Sequence, residues 1–401
     1  MVSENPQVAR TNTMLIILLI TAATVMKIAW AANSIGTTDM VRFFHFSELL
    51  QKQSIAETYA ADSRWNHTLT VSLWTKFAGF ITAENGAAFV LLFRLPGILA
   101  DVVLVSELLL LRRRLNIPWV ALSFAAISPI HLIISGFHGN LDGVMALLIF
   151  LAFTATVRDA PAMSGLFLGL ACNVKIPPVL LAPALAAYWL AHGKPWRFLA
   201  GFGATAGMMI AGGIYAAGIP FLKNVLAYGS IWGTWGIGEL LVALGLSKPE
   251  VPLTHYESGT TAMIAKGLKI AIVGTACWLA WVRRRASAEE LIRTAAATLL
   301  VFFALTPGFG HQYFVWWFAP VLVVAPRLAI ALASGAALTT ALVFQSGSKS
   351  AFPWWVVEPP FPATGLPLAV SLATWAGFVA GAMFLVRSCW VTRKSEVQYP
   401  D

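Results

Sequence analysis

The chain is poor in charge. Asp, Glu, Lys and Arg make up 11% of its 401 residues, whereas apolar residues make up 58%, and its mean hydropathy is +0.74. A chain of this length has room for a large soluble core, but such a core does not need apolar runs of membrane-spanning length. The composition therefore predicts a membrane protein with many spans.

The sequence also lacks the signatures of several site types. Its three cysteines are scattered and include no CxxC pair, which argues against a disulfide framework and a zinc site. No Walker loop, HExxH, GxSxG or GxGxxG occurs, which argues against a nucleotide-driven pump and a membrane metalloprotease. No cofactor is predicted, and the need for a divalent metal stays open.

Apolar segments of helical length are present along the whole chain. They predict an all-α polytopic membrane protein, a bundle of about 12 transmembrane segments within a range of roughly 10–13. The first segment is interpreted as a retained span because no small-residue cleavage site follows it. The segments are 13–33, 86–111, 117–135, 140–157, 162–175, 176–192, 197–217, 262–282, 291–306, 313–326, 328–345 and 366–387.

The fifth and sixth segments are shorter than the roughly 20 residues that an ordinary span needs. They form one stretch of 31 residues that is broken at Lys175 and the double proline Pro177-Pro178. Proline removes a helical hydrogen bond and ends the helix. The sequence therefore predicts a tilted or re-entrant pair of helices that meet at Lys175.

Lys and Arg residues collect in short loops on one side of the predicted bundle. With a cytoplasmic N-terminus, this side holds 15 of the 27, including the triplets Arg112–Arg114 and Arg283–Arg285. Positively charged loops stay in the cytoplasm, so both termini are predicted to be cytoplasmic. This distribution accounts for the net charge of +9 without nucleic acid as a partner.

Three long segments, 34–85, 218–261 and 346–365, face the outer side of what we interpret as a single transmembrane domain, residues 1–401. The first contains two amphipathic stretches. Their apolar residues are Met40, Phe43, Phe44, Phe46, Leu49 and Leu50, and then Leu69, Leu73, Trp74, Phe77 and Phe80. Such helices lie in the membrane interface or pack on the bundle, and both interpretations stay open.

Four polar groups lie at the outer ends of the predicted spans. They are Asp39, the set His138, Asn140 and Asp142, the break residue Lys175, and the pair His311 and Gln312. Polar groups at a membrane boundary are costly unless they pair or bind something. Because the four groups share one face, we predict that they form one outward-facing site.

Several of these residues also have a purely structural explanation, although a helix cap does not explain His138. Asp39 can cap the helix that follows it, and Asn140 or Asp142 can cap the fourth span. Lys175 can extend along the membrane surface to water, and Trp316 fits an interfacial aromatic belt. An acid just above the membrane is also suited to act as a general base for a hydroxyl group. Asp39 is therefore the first candidate for this role and Asp142 the second.

Arg94 and Asp101 lie within the second predicted span. They are seven residues apart and so lie near one helix face. A structural ion pair is the default expectation, either with each other or with a neighbouring helix.

The order of these residues resembles the GT-C superfamily of integral-membrane glycosyltransferases, which use polyprenyl-phosphate sugars. The similarity covers most of residues 30–325, in short motifs. They are Asp39 with the aromatic helix after it, Tyr59 with Trp65 to Thr68, Arg94-Leu95-Pro96 with Asp101, Ser128-Pro129 with Ser135 to Asp142, Lys175 to Pro178, and His311 to Pro320. The chain is most similar to bacterial polyprenol-phosphate-mannose-dependent mannosyltransferases. It departs from many relatives at His138-Gly139, where they have Gln, and at His67-Thr68, where they have Pro-Pro.

The resemblance implies an inverting transfer of mannose or another hexose at the outer face of a bacterial plasma membrane. The donor is a polyprenyl-phosphate-linked sugar, and the acceptor is a lipid-linked or envelope glycan. Asp39 would deprotonate the acceptor hydroxyl, and Lys175 with neighbouring cations would stabilise the developing phosphate charge. The implied substrate-binding residues are Arg64, His138, Asn140, Asp142, Lys175, His311 and Gln312.

Two alternatives from other classes stay open. A secondary transporter or flippase of lipid-linked saccharides would carry ionisable residues along a midplane pathway and show paired halves, whereas here the polar residues concentrate on one face. A non-catalytic subunit of an envelope-assembly complex is compatible with the long outer loops.

Overall fold

A computed structural model describes residues 5–83, 85–227, 230–249, 259–359 and 362–398. Within these ranges the chain is mainly helical, and its strands are β1 (Gly36–Thr37) and β2 (Val356–Val357), which pair in parallel. The predicted all-α polytopic membrane fold is therefore confirmed. Part of the predicted second outer loop, 228–229 and 250–258, lies outside the described residues.

The helices follow one another along the chain with short connections. They are α1 (Pro6–Ala32), α2 (Thr38–Lys52), α3 (Ile55–Ala61), α4 (Leu69–Thr82), α5 (Gly86–Leu110), α6 (Trp119–Ala126), α7 (Pro129–Ile133), α8 (Asp142–Val157), α9 (Pro161–Val174), α10 (Ala182–Ala191), α11 (Pro195–Phe202), α12 (Met208–Ala227), α13 (Gly236–Ala243), α14 (Thr260–Val282), α15 (Ala288–Leu305), α16 (Phe318–Val324), α17 (Pro326–Ser346) and α18 (Gly365–Gln398). Short π-helical turns are Ile134–His138 and Gly203–Gly207, and 3₁₀ turns are Pro177–Leu181 and His311–Val315.

Each of the twelve predicted apolar segments coincides with helix, but fewer have the length of a full span. Among the described residues, seven helical stretches are long and apolar enough to cross a membrane. They are Pro6–Ala32, Gly86–Leu110, Trp119–His138, Pro195–Leu226, Thr260–Val282, Pro326–Ser346 and Gly365–Trp390. Three shorter apolar helices are Asp142–Val157, Pro161–Val174 and Pro177–Ala191. The other two predicted segments are α15 and the broken run from His311 to Val324.

The predicted break at Lys175 is present. Lys175 follows the end of α9 in an extended conformation (φ −150°, ψ 153°), and a helical turn restarts at Pro177, where proline fits a first position. At the other end of these two helices, Nζ of Lys194 lies 2.5 Å from Oδ2 of Asp159. The chain therefore forms a helical hairpin, α9 and 177–191, with Lys175 at its tip.

The end of the bundle opposite the hairpin tip carries the arginine-rich loops. Arg114 of the first triplet lies 3.5 Å from Glu289, which follows the second triplet by four residues. Arg158, next to the base of the hairpin, lies 2.5 Å from Glu107 at the end of α5. These ion pairs bring the loops of both triplets to one end of the protein, as the charge distribution predicts.

The two charged residues of α5 have separate partners. Asp101 pairs with Lys27 of α1 at 2.5 Å, which is the predicted pairing with a neighbouring helix. Arg94 donates hydrogen bonds to three backbone oxygens within residues 31–35, where α1 ends, and to the backbone oxygen of Phe137. Arg94 therefore joins the end of α1 to the π-helical turn before α8.

The two amphipathic helices of the first long loop contact the bundle differently. α2 buries Met40, Phe43 and Leu50 in the protein core, so the packing interpretation holds for this helix. α4 instead packs its small and polar face against α2 and α5, which leaves Phe77 50% and Phe80 71% exposed. Leu73 and Ile81 are exposed as well, whereas Leu69 and Trp74 pack against the core. An exposed apolar face of this kind is typical of a helix that contacts lipid.

Candidate active site

A cavity of about 550 Å³ lies at the end of the bundle that holds the hairpin tip. Its wall is formed by α2, the loop between α3 and α4, the hairpin tip, α12, α14 and the loop after α15. This volume is within the range of about 300–1,000 Å³ that is typical of small-molecule sites. The predicted outer groups therefore meet around a space that can hold a substrate.

Asp39 lies on the wall of this cavity. It occupies the first turn of α2, whose N-cap residue is Thr37 and which has no side-chain cap. The capping explanation therefore does not hold for Asp39. Its Oδ2 lies 3.3 Å from Nε2 of His138, and its Oδ1 lies 3.9 Å from Nη1 of Arg42. With 31% of its side chain exposed, the carboxylate is accessible from the cavity.

The charge of Asp39 is set by its surroundings. Burial alone raises the pKa of this carboxyl, but the contact with His138 and the positive charges of His138, Lys175 and Arg42 outweigh burial. Together they hold the pKa of Asp39 well below its ordinary value. The group is therefore a carboxylate at neutral pH and can accept hydrogen bonds.

His138 lies behind Asp39 rather than on the cavity wall. Only 5% of its side chain is exposed, and its ring stacks on Phe344 with a centroid distance of 5.9 Å and an interplanar angle of 14°. Within the described part of the chain, neither ring nitrogen has a polar partner other than Asp39. The ring is therefore held between an aromatic face and the Asp39 carboxylate.

Lys175 contributes a fixed positive charge to the cavity wall. Its Nζ donates to both carboxylate oxygens of Asp142, at 3.0 and 2.8 Å, and lies 4.9 Å from the centre of the Tyr313 ring. The indole Nε1 of Trp316 donates to Oδ1 of Asp142 at 2.6 Å. Asp142 is fully buried and lies behind the wall. It anchors the lysine, and Trp316 is an internal hydrogen-bond donor rather than part of an interfacial belt.

The turn between the π-helical residues and α8 brings His138 and Asp142 to these partners. Gly139 in this turn has φ +80°, and a Cβ at this position would lie 2.8 Å from Nε of Arg94, which is held by its own hydrogen bonds, so the turn favours glycine. Leu141 is the N-cap residue of α8, and no side chain caps this helix. The capping explanation therefore does not hold for Asp142 either.

Three further cations line the cavity. Arg42 and Arg64 come from the first long loop, with 61% and 70% of their side chains exposed, and Lys269 comes from α14. Together with Lys175, the described wall residues include four cations and the carboxylate of Asp39. Of these cations, Arg64 pairs with Asp62 at 2.6 Å and Lys175 with Asp142 at 2.8 Å. The cavity therefore favours an anionic ligand.

The remaining predicted residues separate into two groups. Asn140 and Gln312 lie on the cavity wall and are 5% and 9% exposed. His311 instead packs its ring against Phe309 and Phe344, with centroid distances of 6.0 and 5.6 Å. Burial lowers the pKa of His311 to about 3, so it is neutral at pH 7 and offers no positive charge to a phosphate.

The wall residues that were not predicted as site residues include the polar side chains of Arg42, His67, Lys269 and Tyr313. Arg42 follows Asp39 by three residues, a spacing that brings helical neighbours together. Lys269 lies within a predicted span, where a lysine is costly and therefore informative. Burial lowers the pKa of His67 to about 3, so this side chain is a neutral hydrogen-bonding group.

The wall combines a carboxylate, four cations and neutral hydrogen-bonding side chains. A carboxylate can accept a proton from a hydroxyl group, and cations in a partly enclosed space can stabilise negative charge that develops on a ligand. Among the described residues, no group of three or more His, Cys, Asp or Glu could hold a metal ion. The arrangement suits proton transfer next to an anion.

A family model of glycosyltransferase family 87 matches residues 77–307. The match covers more than half of the chain, from the end of α4 to the loop after α15. It includes Lys175, Asp142 and Lys269, whereas Asp39 lies before the matched region. No curated protein matches the chain.

Proposed function

Because the chain belongs to glycosyltransferase family 87, a membrane family of the GT-C type, we propose that it transfers mannose or another hexose from a polyprenyl-phosphate donor. The acceptor is a lipid-linked or envelope glycan, and transfer takes place at the outer face of a bacterial plasma membrane. Membership of a glycosyltransferase family favours this function over a flippase, a transporter or a non-catalytic assembly subunit.

The observation that carries the proposal is the pairing of one carboxylate with several cations around a single cavity. Asp39 is the acid on the described part of the wall, and four cations face the same space. A sugar linked to a phosphate presents an anion next to the carbon that reacts. The cations therefore bind the phosphate, and Asp39 is left to receive the acceptor hydroxyl.

The reaction moves one proton and exchanges one bond. The acceptor hydroxyl gives its proton to Asp39 while its oxygen bonds to C1 of the sugar from the side opposite the phosphate, and the bond from C1 to the phosphate oxygen breaks. The electron pair leaves with the polyprenyl phosphate, whose charge changes from about −1 to nearly −2 at neutral pH. Lys175 and the other wall cations stabilise this increase in charge.

Donor binding also adjusts the basicity of Asp39. In the free protein the charges of His138, Lys175 and Arg42 hold its pKa low, which makes it a weak proton acceptor. A donor phosphate beside Lys175 offsets part of this positive charge and so raises the pKa of Asp39. The carboxylate therefore becomes a better base when the donor is in place.

One part of the cavity wall suits the lipid portion of such a donor. Val225 and Leu226 at the end of α12 lie on the wall together with Ile272 and Val273 of α14. Leu226 is 58% and Val273 is 50% exposed. Both residues belong to helices that are apolar candidate spans, so their exposed side chains can contact lipid. These side chains form an apolar edge between the bilayer and the cationic part of the cavity, and the prenyl chain lies along it.

The experiment is transfer by the purified protein in liposomes, with radiolabelled polyprenyl-phosphate mannose and an extract of membrane glycolipids as acceptors. Asp39→Asn is expected to reduce transfer by about 10²-fold to 10⁴-fold, because this is the usual contribution of a positioned general base. Glu48→Gln is the matched control: Glu48 lies on the same helix, pairs with His45 at 4.0 Å and is not among the wall residues.

Retention of full activity by the Asp39→Asn protein would remove this residue from the mechanism. The same variant is expected to bind the donor, since the cations are intact. Profiling of glycolipids in a deletion strain identifies the acceptor, which is expected to accumulate without its terminal sugar. An unchanged glycolipid profile would contradict the proposed transfer.

A further inference from the structure

We propose that His138 and Asp142 are positioning residues: His138 holds the Asp39 carboxylate, Asp142 holds the Lys175 ammonium, and neither contacts a substrate. The proposal rests on the proposed function, because it takes Asp39 as the base and Lys175 as the cation that faces the donor phosphate. It replaces the prediction from the sequence that both residues bind substrate. We call residues 138–142 the positioning turn.

The two charged residues of the positioning turn lie one layer behind the cavity, whereas Asn140 between them is on its wall. His138 and Asp142 are 4% and 0% exposed and are not among the wall residues, whereas their partners Asp39 and Lys175 are on the wall. Each buried residue thus contacts one residue that a substrate can reach. Contact of a substrate with His138 or Asp142 would require displacement of that partner.

Among the described residues, Asp39 is the one polar partner of the His138 ring. Its Nε2 faces Asp39 at 3.3 Å, and its ring is supported by Phe344. The hydroxyl of Thr37, next to the start of α2, donates to the backbone oxygen of His138 at 3.3 Å. The beginning of α2 and the positioning turn are therefore joined at two points, which fixes the direction of the Asp39 carboxylate.

Asp142 is the anchor of the hairpin tip. A fully buried carboxylate is stable only with close donors, and here Lys175 and Trp316 supply three hydrogen bonds. A lysine side chain is long and flexible, but this bidentate contact holds the Lys175 ammonium against the Tyr313 ring. The charge therefore has one position rather than many.

The backbone of the positioning turn is itself constrained. Nη2 of Arg94 donates to the backbone oxygen of Phe137 at 2.5 Å, directly before the turn. A Cβ on Gly139 would lie 2.8 Å from Nε of Arg94, so the turn lies directly against this side chain. Arg94 is itself fixed by the end of α1. The partners of the base and of the cation are thus built into one rigid segment.

Several charged or titratable groups face Asp39, and the effect of His138 must be separated from theirs. Among the described residues they are Arg42 on its own helix, Lys175 at the hairpin tip, His67 in the loop between α3 and α4, His311 after α15, and His138. Burial keeps His67 and His311 neutral near pH 7. Loss of His138 therefore leaves the two fixed cations in place.

The first test measures kcat/KM for transfer against pH with the His138→Gln protein. Removal of the histidine raises the pKa of Asp39, so the base becomes protonated at a higher pH. The acid limb of the profile is expected to move up by about 1–2 pH units, with the donor KM unchanged. His45→Gln is the matched control, because His45 is exposed and pairs with Glu48 outside the cavity wall.

A second variant covers the case in which His138→Gln does not fold. Phe344→Leu removes the aromatic face behind the ring and is expected to move the acid limb in the same direction by a smaller amount. An acid limb that stays at the wild-type pH, together with a higher KM for donor or acceptor, would show that His138 binds substrate and would overturn its positioning role.

The second test separates KM from kcat for Asp142→Asn. Loss of charge at Asp142 releases Lys175, so the donor KM is expected to rise about 10-fold to 100-fold while the acceptor KM stays the same. Trp316→Phe, which removes one donor to Asp142, is the milder variant and is expected to raise the donor KM by less. The control is Asp159→Asn, which breaks the Lys194 pair at the far end of the hairpin.

The outcomes distinguish this proposal from the proposed function. Full activity of Asp39→Asn removes the base itself and with it the proposed mechanism. If Asp39→Asn is inactive, but His138→Gln keeps the wild-type pH profile and Asp142→Asn keeps the wild-type donor KM, the mechanism stands and the positioning roles are wrong. A rise in the acceptor KM of Asp142→Asn would instead assign that residue to acceptor binding.

Discussion

Nζ of Lys27 lies 2.5 Å from Oδ2 of Asp101, and each side chain is 6% exposed. The pair joins α1 to α5 inside the membrane region. Removal of one partner leaves an uncompensated buried charge. Asp101→Asn is therefore expected to lower the free energy of unfolding by about 3–5 kcal/mol, measured by thermal unfolding in detergent.

The double variant Lys27→Met with Asp101→Leu is the control for this prediction. It removes both charges and fills the space with apolar atoms, so it is expected to be clearly more stable than Asp101→Asn. Equal destabilisation of the single and double variants would show that the effect comes from packing rather than from an unpaired charge.

Lys269 and Lys266 on α14 offer a matched comparison, since Lys269 lines the cavity and Lys266 does not. Lys269→Ala is expected to raise the donor KM by about 3-fold to 10-fold, because an exposed cation near a phosphate contributes modestly and is screened by salt. Lys266→Ala is expected to leave the KM unchanged. The KM difference between wild type and Lys269→Ala should shrink at high ionic strength, and equal effects of both variants would contradict a specific contact.

Glu239 on α13 makes stability depend on pH. Burial raises the pKa of this carboxyl to about 7, although Oγ of Ser371 donates to it at 2.6 Å. Between the ordinary value of 4.5 and about 7, the folded protein keeps a proton that the unfolded chain has lost. The contribution of Glu239 to the free energy of unfolding is therefore fully present below pH 4.5 and falls as the pH rises towards 7.

The size of this effect is about 1.4 kcal/mol per pH unit within that window, so the melting temperature of the wild type is expected to fall between roughly pH 5 and pH 7. Glu239→Gln is neutral at every pH and is expected to remove this part of the slope. A Glu239→Gln protein whose melting temperature falls as steeply as that of the wild type would refute the assignment.

A comparison of alanine variants at Gly139 and Gly193 distinguishes the cost of backbone strain from the cost of steric contact. Both have positive φ, +80° and +73°, but a Cβ on Gly139 would lie 2.8 Å from Nε of the hydrogen-bonded Arg94, whereas one on Gly193 would meet nothing within 4 Å. Gly193→Ala is expected to cost about 1–2 kcal/mol of stability, the usual cost of this conformation. Gly139→Ala is expected to cost more and to lower transfer at least tenfold by displacing the positioning turn. Similar stability and activity of the two variants would argue against that contact.

Local signals in the sequence were sufficient for the helices and for the break at Lys175. An apolar run favours a helix and a proline ends one within the same segment of sequence, so both effects can be predicted locally. The arginine triplets identify the loops that share one end of the bundle. Seven helical stretches have the length of a full span, and composition alone does not distinguish these from the shorter apolar helices such as those of the hairpin. Five of the eight predicted site residues lie on the cavity wall, because they follow from the ends of the segments: Asp39, Arg64, Asn140, Lys175 and Gln312.

The ends of the segments do not predict whether a residue lies on the cavity wall or is buried behind it. Asn140 and Asp142 are two positions apart, yet the first lies on the cavity wall and the second is buried behind it. This difference depends on how α8 packs against the hairpin tip and Trp316, which are distant in sequence. The same reason explains why Lys269 on α14 was not assigned to the site.

The two partners of the positioning turn belong to different parts of the chain, α2 and the hairpin, yet both are held by residues four positions apart. We therefore expect a displacement of this turn to move the Asp39 carboxylate and the Lys175 ammonium together. If the two groups act as proposed, the distance between the base and the cation depends on one short segment of the chain. Motion of the surrounding helices in the bilayer would then change this distance less than it changes the position of either group.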